Sequence, residues 1–273
     1  MKALVIGMGF VGGHLKTYLE KQGVEVVHLN HEKLLHKEYL TGFMEKCAPE
    51  YIFNLSSYGN IITQNTKDLD EFEKSNVQGW WNLLVTTNPI PYKAFVNVST
   101  SSVTLPVQTI YSSTKAAMEA WCHGFADTFN KPIVSLRPYS LYGEGDIESH
   151  FISQVCKALI EDRFIGLDPD PVHDWIHIDD FIEGMWIVAQ NAQKLKGKAL
   201  GLGTGIQTTN LDVVSKLERI SDRVLKVDVF DSPRPYDTDH WVCGDNPLKE
   251  YGWKPRISLY NGLTRTYKSY ENT

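Results

Sequence analysis

Lys2-Ala3-Leu4-Val5-Ile6-Gly7-Met8-Gly9-Phe10-Val11-Gly12-Gly13-His14-Leu15 reads as an apolar strand, a glycine turn and the opening of an amphipathic helix continued by Tyr18 and Leu19. Gly7 permits the turn, Gly9 lets a pyrophosphate approach the backbone, and Gly12 lets the helix pack closely on the strand. The first N–H groups of the helix, around Phe10 and Val11, and its positive end are then left to hold phosphate. A GxGxxG in a loop carries little weight, but one that follows a strand and opens a helix predicts dinucleotide binding through Gly7, Gly9, Phe10, Val11 and Gly12.

Reading outward, a second strand spans Val24 to Leu29, and the position that reads the adenosine ribose falls at Asn30 or His31. An acidic residue there would select NAD and a nearby arginine NADP; neither is present. Asn30 can bond ribose hydroxyls, and His31 or Lys33 could meet a 2′-phosphate, so the cofactor stays NAD or NADP. The alternation then continues with a helix from Tyr39 to Cys47, a strand Tyr51 to Leu55, a helix Asp68 to Thr86, a strand Lys93 to Val98, a helix from Tyr111, and a strand Ile133 to Arg137. Such alternation predicts an α/β fold with a doubly wound parallel sheet and a ligand at the carboxyl ends of its strands. Those ends carry Gly7 to Gly12, Leu55 to Tyr58, Ser99 to Ser102, and Pro138 to Tyr142, and Leu55, Ser56 and Tyr139 among them are further cofactor candidates.

Tyr111-Ser112-Ser113-Thr114-Lys115 places a phenol and an ammonium four residues apart, on one helix face. An ammonium within a few ångströms favours phenolate, so Lys115 is expected to pull Tyr111 below the ordinary tyrosine range and make it an acid-base group. Just before this helix, Ser99-Thr100-Ser101-Ser102 ends a strand. A serine there can hold a substrate oxygen beside the tyrosine, donating or accepting as the charge on that oxygen changes.

The chain has 273 residues, 42% of them hydrophobic, enough for one α/β core with a smaller lobe. Its net charge of −6 argues against nucleic acid as a partner. A small anionic substrate needs only local cations, which Arg137, His173 and Arg234 could supply. Cys47, Cys122, Cys156 and Cys243 lie apart without CxxC spacing, and His14, His28, His31 and His36 lack metal-ligand spacing, so neither metal nor a disulfide framework is expected. The apolar start is too short for a signal peptide and no run reaches membrane length, which predicts a cytoplasmic protein without a membrane partner.

The ordered motifs resemble the extended short-chain dehydrogenase/reductase family of nucleotide-sugar epimerases, dehydratases and ketoreductases. Besides the glycine turn and the Tyr-x-x-x-Lys pair, Asn76-Val77-Gln78-Gly79 with Asn82-Leu83-Leu84 is similar to the family's NVxGTxNLL helix. Leu136-Arg137-Pro138 with Tyr142-Gly143-Glu144-Gly145-Asp146 resembles RPxNVYGxGD, and Asp174 to Asp180 resembles RDFIHVDD. Leu202 to Gly205, Arg234-Pro235-Tyr236-Asp237 and Leu248 to Pro255 match three later segments. The resemblance implies a Rossmann-type fold with a small C-terminal substrate-binding lobe. Residues 1–138, joined by roughly 174–205, would bind the dinucleotide, and most of 139–273 would form the lobe.

On the resemblance, Tyr111 is the general acid or base, Lys115 grips the nicotinamide ribose, and Ser101 binds the reacting oxygen. Ser140, His173 and Arg234 fall at substrate positions, with Arg234 on a diphosphate. The implied partner is a nucleotide-sugar, and the helices Asp68–Thr86 and Tyr111–Phe129 would pair across a homodimer axis, with Trp80, Trp81, Trp121 and Trp186, all in expected helices, in core or interface.

Several departures sharpen the expectation. The turn is one residue shorter than TGxxGxxG, the interval from Ser101 to Tyr111 is short, and Leu29 to Tyr51 holds too little apolar sequence for the usual third strand. His173 and Ser140 stand where arginine and asparagine are expected. No Asp-Glu pair follows the active-site hydroxyl, which disfavours dehydration. A 4-ketoreductase is expected first, an epimerase with tightly bound NAD second, and a non-catalytic dinucleotide sensor is the alternative from another class. Asp179 and Asp180 are expected to cap the helix Phe181–Asn191.

Overall fold

The computed structural model describes residues 1–63, 65–230 and 234–271. The chain packs as two compact units: Met1–Pro138 with Ile182–Gly201, and Tyr139–Phe181 with the chain from Leu202 onward. The first unit opens with β1 (Lys2–Ile6), α1 (Phe10–Lys21), β2 (Glu25–Leu29), α2 (Lys37–Cys47) and β3 (Tyr51–Asn54). It continues through α3 (Leu69–Glu71), α4 (Trp80–Thr87), β4 (Ala94–Val98), α5 (Ile110–Phe129) and β5 (Ile133–Pro138). The chain then runs through β6 (Ser140–Tyr142), α6 (Phe151–Glu161), β7 (Phe164–Leu167), β8 (Val172–His177) and α7 (Ile178–Gln190). The last elements are α8 (Ala192–Leu195), β9 (Ala199–Leu202), β10 (Gln207–Thr209), α9 (Asn210–Ser221), β11 (Lys226–Val229) and α10 (Leu259–Glu271).

The central sheet has the order β2-β1-β3-β4-β5-β9. β1 pairs in parallel with β2 and β3, β3 with β4, and β4 with β5, so the doubly wound parallel sheet expected from the sequence is present. β2 is the edge strand: among the described residues no strand lies beyond it, as the apolar-poor stretch after Leu29 implied. That stretch instead makes a short turn over His31–Leu35 and the helix α2. Ile6, Ile52, Phe95 and Ile133 meet Met44, Trp80, Leu83, Met118 and Cys122 in one core. Each large side chain removed from water there contributes about 1.5–3 kcal/mol.

The helix expected from Asp68 to Thr86 is broken into three pitches. A short 3-10 turn (Thr66–Asp68) leads into α3, eight residues from Phe72 to Gly79 widen into π turns, and α4 follows. Asn76, fully buried, shows the physical reason. Its side chain accepts from the Tyr58 N–H at 2.8 Å and donates to the Tyr58 carbonyl at 3.0 Å and to Thr114 Oγ1 at 3.2 Å. Looping the backbone outward lets one amide clamp the segment after β3 to α5, a common use of π turns beside sites.

In the second unit, β8 lies between β10 (antiparallel) and β6 (parallel), while β7 and β11 form a separate parallel pair. Its core gathers Tyr142, Ile152, Val155, Trp175, Val213, Leu217, Leu263 and Tyr267. The two aspartates expected to cap a helix act otherwise, because α7 starts earlier, at Ile178, and takes both into its first turn. The Asp180 carboxylate accepts from the backbone N–H groups of Arg256 (3.1 Å) and Ile257 (2.9 Å), and Asp179 pairs with Arg265 at 2.7 Å. Both fasten the C-terminal segment. No helix among the described residues is long and apolar enough to cross a membrane.

Candidate active site

The strand ends of the first unit are laid side by side by backbone bonds. Gly7 N–H donates to Leu29 O (3.2 Å), Leu55 N–H to Ile6 O (2.9 Å), and Ser99 N–H to Leu136 O (2.7 Å). A Cβ on Gly12 would stand 2.2 Å from the Gly7 carbonyl oxygen, and one on Gly7 would meet the Ser56 backbone at 2.9 Å. Gly9 has open space where its Cβ would be. Gly9 is also the N-cap of α1, which carries no side-chain cap, so the first N–H groups at Phe10 and Val11 are not claimed by a side chain there. This cradle fits a dinucleotide pyrophosphate: tight packing at Gly7 and Gly12, open approach at Gly9 and a bare helix N-terminus.

Asn30, expected at the ribose, is exposed and precedes the His31–Leu35 turn without a side-chain cap bond. Lys33, expected as a cation for a 2′-phosphate, lies over the Tyr39 ring at 5.4 Å. Ser56 is buried, and its hydroxyl donates to Asn54 Oδ1 at 2.6 Å, which commits its proton away from any ligand.

α5 begins with a capping box: Thr109 Oγ1 accepts from the Ser112 N–H at 3.2 Å while Ser112 Oγ accepts from the Thr109 N–H at 2.8 Å. This pins the first turn, on which Tyr111 lies. Lys115 follows one turn on, buried, donating to the Val98 carbonyl at 2.8 Å. Its Nζ stands 5.0 Å from the Trp80 ring and 5.7 Å from that of Tyr111.

The expected electrostatics of this pair need correction. Burial pushes the Tyr111 phenol up to about 12, partly opposed by a hydrogen bond from Thr100, and burial pushes Lys115 down to about 7, partly opposed by Glu119. Lys115 does not pull the phenol down, because its ammonium is itself desolvated and committed to Val98 and the face of Trp80. The hydroxyl that meets the phenol oxygen is that of Thr100. Thr100 Oγ1 also accepts from the Ser102 N–H at 3.2 Å and lies 3.0 Å from Ser102 Oγ. Ser101 is buried one residue on, in the 3-10 turn Ser101–Thr104, and its carbonyl accepts from Thr104. The sequence reading missed Thr100 because four consecutive hydroxyl residues carry no periodicity that says which one faces the helix.

Arg137, considered as a cation for a substrate, grips Glu119 through Nε at 2.9 Å and Nη2 at 2.6 Å. In the second unit, the Tyr139 N–H donates to Leu202 O at 3.1 Å. Ser140 Oγ and His173 Nδ1 are 3.1 Å apart, and the His173 ring lies 4.9 Å from Trp175 and 5.4 Å from Trp241. Burial, reinforced by Arg234, pushes His173 down to about 4, so it is a neutral hydrogen-bonding group and not the cation the sequence allowed. Arg234 is held by Asp237, with Nη2 2.8 Å from the carboxylate, and lies over the Tyr236 ring at 5.1 Å. Beside them Asp174, almost fully buried, accepts from the N–H groups of Thr204 (2.7 Å), Gly205 (2.9 Å) and Cys243 (3.0 Å) and from the Thr204 hydroxyl (2.6 Å). All four cysteines are free and buried, and no cluster of three metal-ligating side chains occurs among the described residues.

A glycine turn opening a helix at the strand ends, beside a Tyr-Lys pair and a hydroxyl, defines a dinucleotide-binding α/β protein. The chain belongs to the NAD dependent epimerase/dehydratase family, whose model matches residues 3–203. It is 24% identical over 304 residues to an uncharacterized UDP-glucose epimerase of Bacillus subtilis (strain 168), covering 97% of this chain and 96% of that one. It is 21% identical over 352 residues to dTDP-D-glucose 4,6-dehydratase of Dictyostelium discoideum, covering 97% and 80%. Among solved structures, UDP-glucuronic acid 4-epimerase from Bacillus cereus, in complex with UDP-glucuronic acid and NAD, superposes with a TM-score of 0.90 at 24% identity, over 100% of this chain and 99% of that one. The Thermus thermophilus UDP-glucose 4-epimerase complex with NAD gives 0.90 at 20% identity, over all of both chains.

Proposed function

We propose that this protein is an NAD(P)-dependent oxidoreductase acting on a nucleotide-linked sugar, foremost as a 4-ketoreductase. The observation that carries the reading is the convergence of Lys115, Tyr111 and Thr100 at the strand ends beside the glycine cradle. Gly7, Gly9, Gly12 and the first N–H groups of α1 would hold the dinucleotide phosphates, and Lys115 would meet the nicotinamide ribose. The bound dinucleotide supplies hydride transfer.

The chain's own residues handle the proton. Tyr111 Oη donates to a keto oxygen as that oxygen gains charge, and Thr100, bonded to the phenol oxygen, orients it. Burial holds the phenol above the ordinary tyrosine range, so it carries its proton at neutral pH, which suits it to donate to a keto oxygen. No carboxyl follows either hydroxyl, since Ser102, Val103 and Thr104 come after Ser101, and Ser101 and Ser102 after Thr100, so elimination of water lacks the Asp-Glu pair a dehydratase would place there. A second reading, a nucleotide-sugar epimerase with tightly bound NAD, is supported by the two same-fold 4-epimerases that hold NAD.

Mass spectrometry of nucleotide released from freshly purified protein separates these readings. Reversible uptake of NADH or NADPH by an otherwise empty protein supports the reductase, tightly held NAD the epimerase, and absence of any dinucleotide binding removes the proposal. Retained dinucleotide with no turnover of any keto-sugar would point to the sensor. The reading includes a homodimer packed on α4 and α5, where Trp81, 47% exposed, stands edge-on to Trp121 and Phe125. A monomeric mass by light scattering excludes that part.

A further inference from the structure

A line of buried polar side chains crosses the middle of the central sheet, where apolar residues would pack at lower cost. Asn54, Asn97 and Ser135 are register neighbours on β3, β4 and β5, each at most 2% exposed. Asn54 Nδ2 donates to Asn97 Oδ1 at 3.0 Å, and Asn97 Nδ2 donates to Ser135 Oγ at 3.3 Å. At the other end Ser56 Oγ donates to Asn54 Oδ1 at 2.6 Å and accepts from Trp80 Nε1 at 3.3 Å. The donors all point one way, from Trp80 through Ser56, Asn54 and Asn97 to Ser135. Each amide has its oxygen and nitrogen spoken for, so it cannot flip without losing two bonds.

Trp80 is thus fixed at its N–H, and its ring is 1% exposed. The Lys115 ammonium rests 5.0 Å from that ring and donates to the Val98 carbonyl at 2.8 Å. We propose that Trp80 is a positioning residue for Lys115, its ring a cation-π platform and the Ser56–Asn54–Asn97–Ser135 ladder the anchor that keeps the ring at its angle. The ladder explains its own polarity: a buried indole needs an acceptor for its N–H, and a satisfied network fixes one orientation where an apolar contact would allow several.

The charged and titratable groups around Lys115 are few. On its own helix are Tyr111, 5.7 Å from Nζ at the ring, and Glu119, whose charge is taken by Arg137 from β5. β4 presents the Val98 carbonyl and α4 the Trp80 ring, so removing the ring withdraws stabilisation specific to the ammonium. That lowers the Lys115 midpoint, already brought down by burial to about 7.

The test uses the full chain with 13C-labelled lysine, reading the Lys115 Cε shift against pH and assigning it with Lys115→Met. Trp80→Phe keeps a ring of similar shape but weakens the platform and removes the N–H, and is expected to lower the midpoint by about 0.5–1 unit. Leu83→Ala, a core truncation on the same helix, is expected to cost stability and leave the midpoint in place. An unchanged or raised midpoint in Trp80→Phe overturns the proposal, as does an equal shift in Leu83→Ala. Should Trp80→Phe fail to fold, Asn97→Val, which leaves the ring but frees its anchor, carries the test with the same expected direction. The proposal rests on the reading of Lys115 as a ribose-binding group, which NADH binding to Lys115→Met tests separately. Retained NADH binding there would remove that reading while the midpoint still decides the role of Trp80.

Discussion

Among the residues of the site, the hydroxyl that meets Tyr111 is the sharpest discriminator, because two candidates adjacent in sequence differ in what they touch. Thr100 bonds the phenol oxygen and makes two contacts with Ser102, whereas Ser101 begins the 3-10 turn that follows. Thr100→Ala is therefore expected to lower kcat/KM on a keto-sugar by roughly 10²-fold, in the range found for removing one oriented donor, with Ser101→Ala costing less than about 10-fold. Steady-state kinetics on both variants decide it. The reverse order would return the role to Ser101 and mean that the Tyr111–Thr100 bond is only a helix-start contact.

At the scale of elements, what the sequence showed and hid follows from the range of the interactions. The glycine turn, the alternation of strands and helices and the missing third strand are local or periodic properties, legible from Gly7, Gly12 and the polar run after Leu29. The π turns of Phe72–Gly79 were not, because they depend on Asn76 reaching Tyr58 and Thr114, residues distant in the chain. The anchoring roles of Asp179 and Asp180 were hidden for the same reason: their partners lie some eighty residues on. The turn gives the element-scale prediction. Gly12→Ala puts a methyl 2.2 Å from the Gly7 carbonyl, and since the clash is with backbone, the strand-to-helix packing must open. Dinucleotide affinity is expected to fall by about 10²-fold or more, with a stability loss of about 1–3 kcal/mol. Gly13→Ala, on the same helix with open space at its Cβ, should leave both nearly unchanged. NADH fluorescence titration and thermal melts of the two variants check the contrast.

For the whole molecule, the site is a source of instability, and pH exposes how much. A lysine in an unfolded chain keeps its proton to about pH 10.4, while burial brings Lys115 down to about 7 in the folded protein. Between those values the unfolded chain binds more protons than the folded one, so this group makes stability rise with pH across that window. Below about pH 7 the folded protein carries the full cost of a desolvated ammonium, met in part by the Val98 carbonyl and the Trp80 face. The sequence placed Lys115 correctly on the face of Tyr111 but could not show this cost, which depends on Val98 and Trp80 closing over it. Lys115→Met fills the same space without the charge. It is expected to raise Tm by roughly 1–8 °C at pH 6, with the gain shrinking toward pH 10, while dinucleotide binding is lost. Calorimetry of both proteins across that range gives the answer: an equal or lower Tm for the variant at pH 6, or a gain independent of pH, would mean that Lys115 is not held as a desolvated cation, and the trade of stability for function at this position would fall with it.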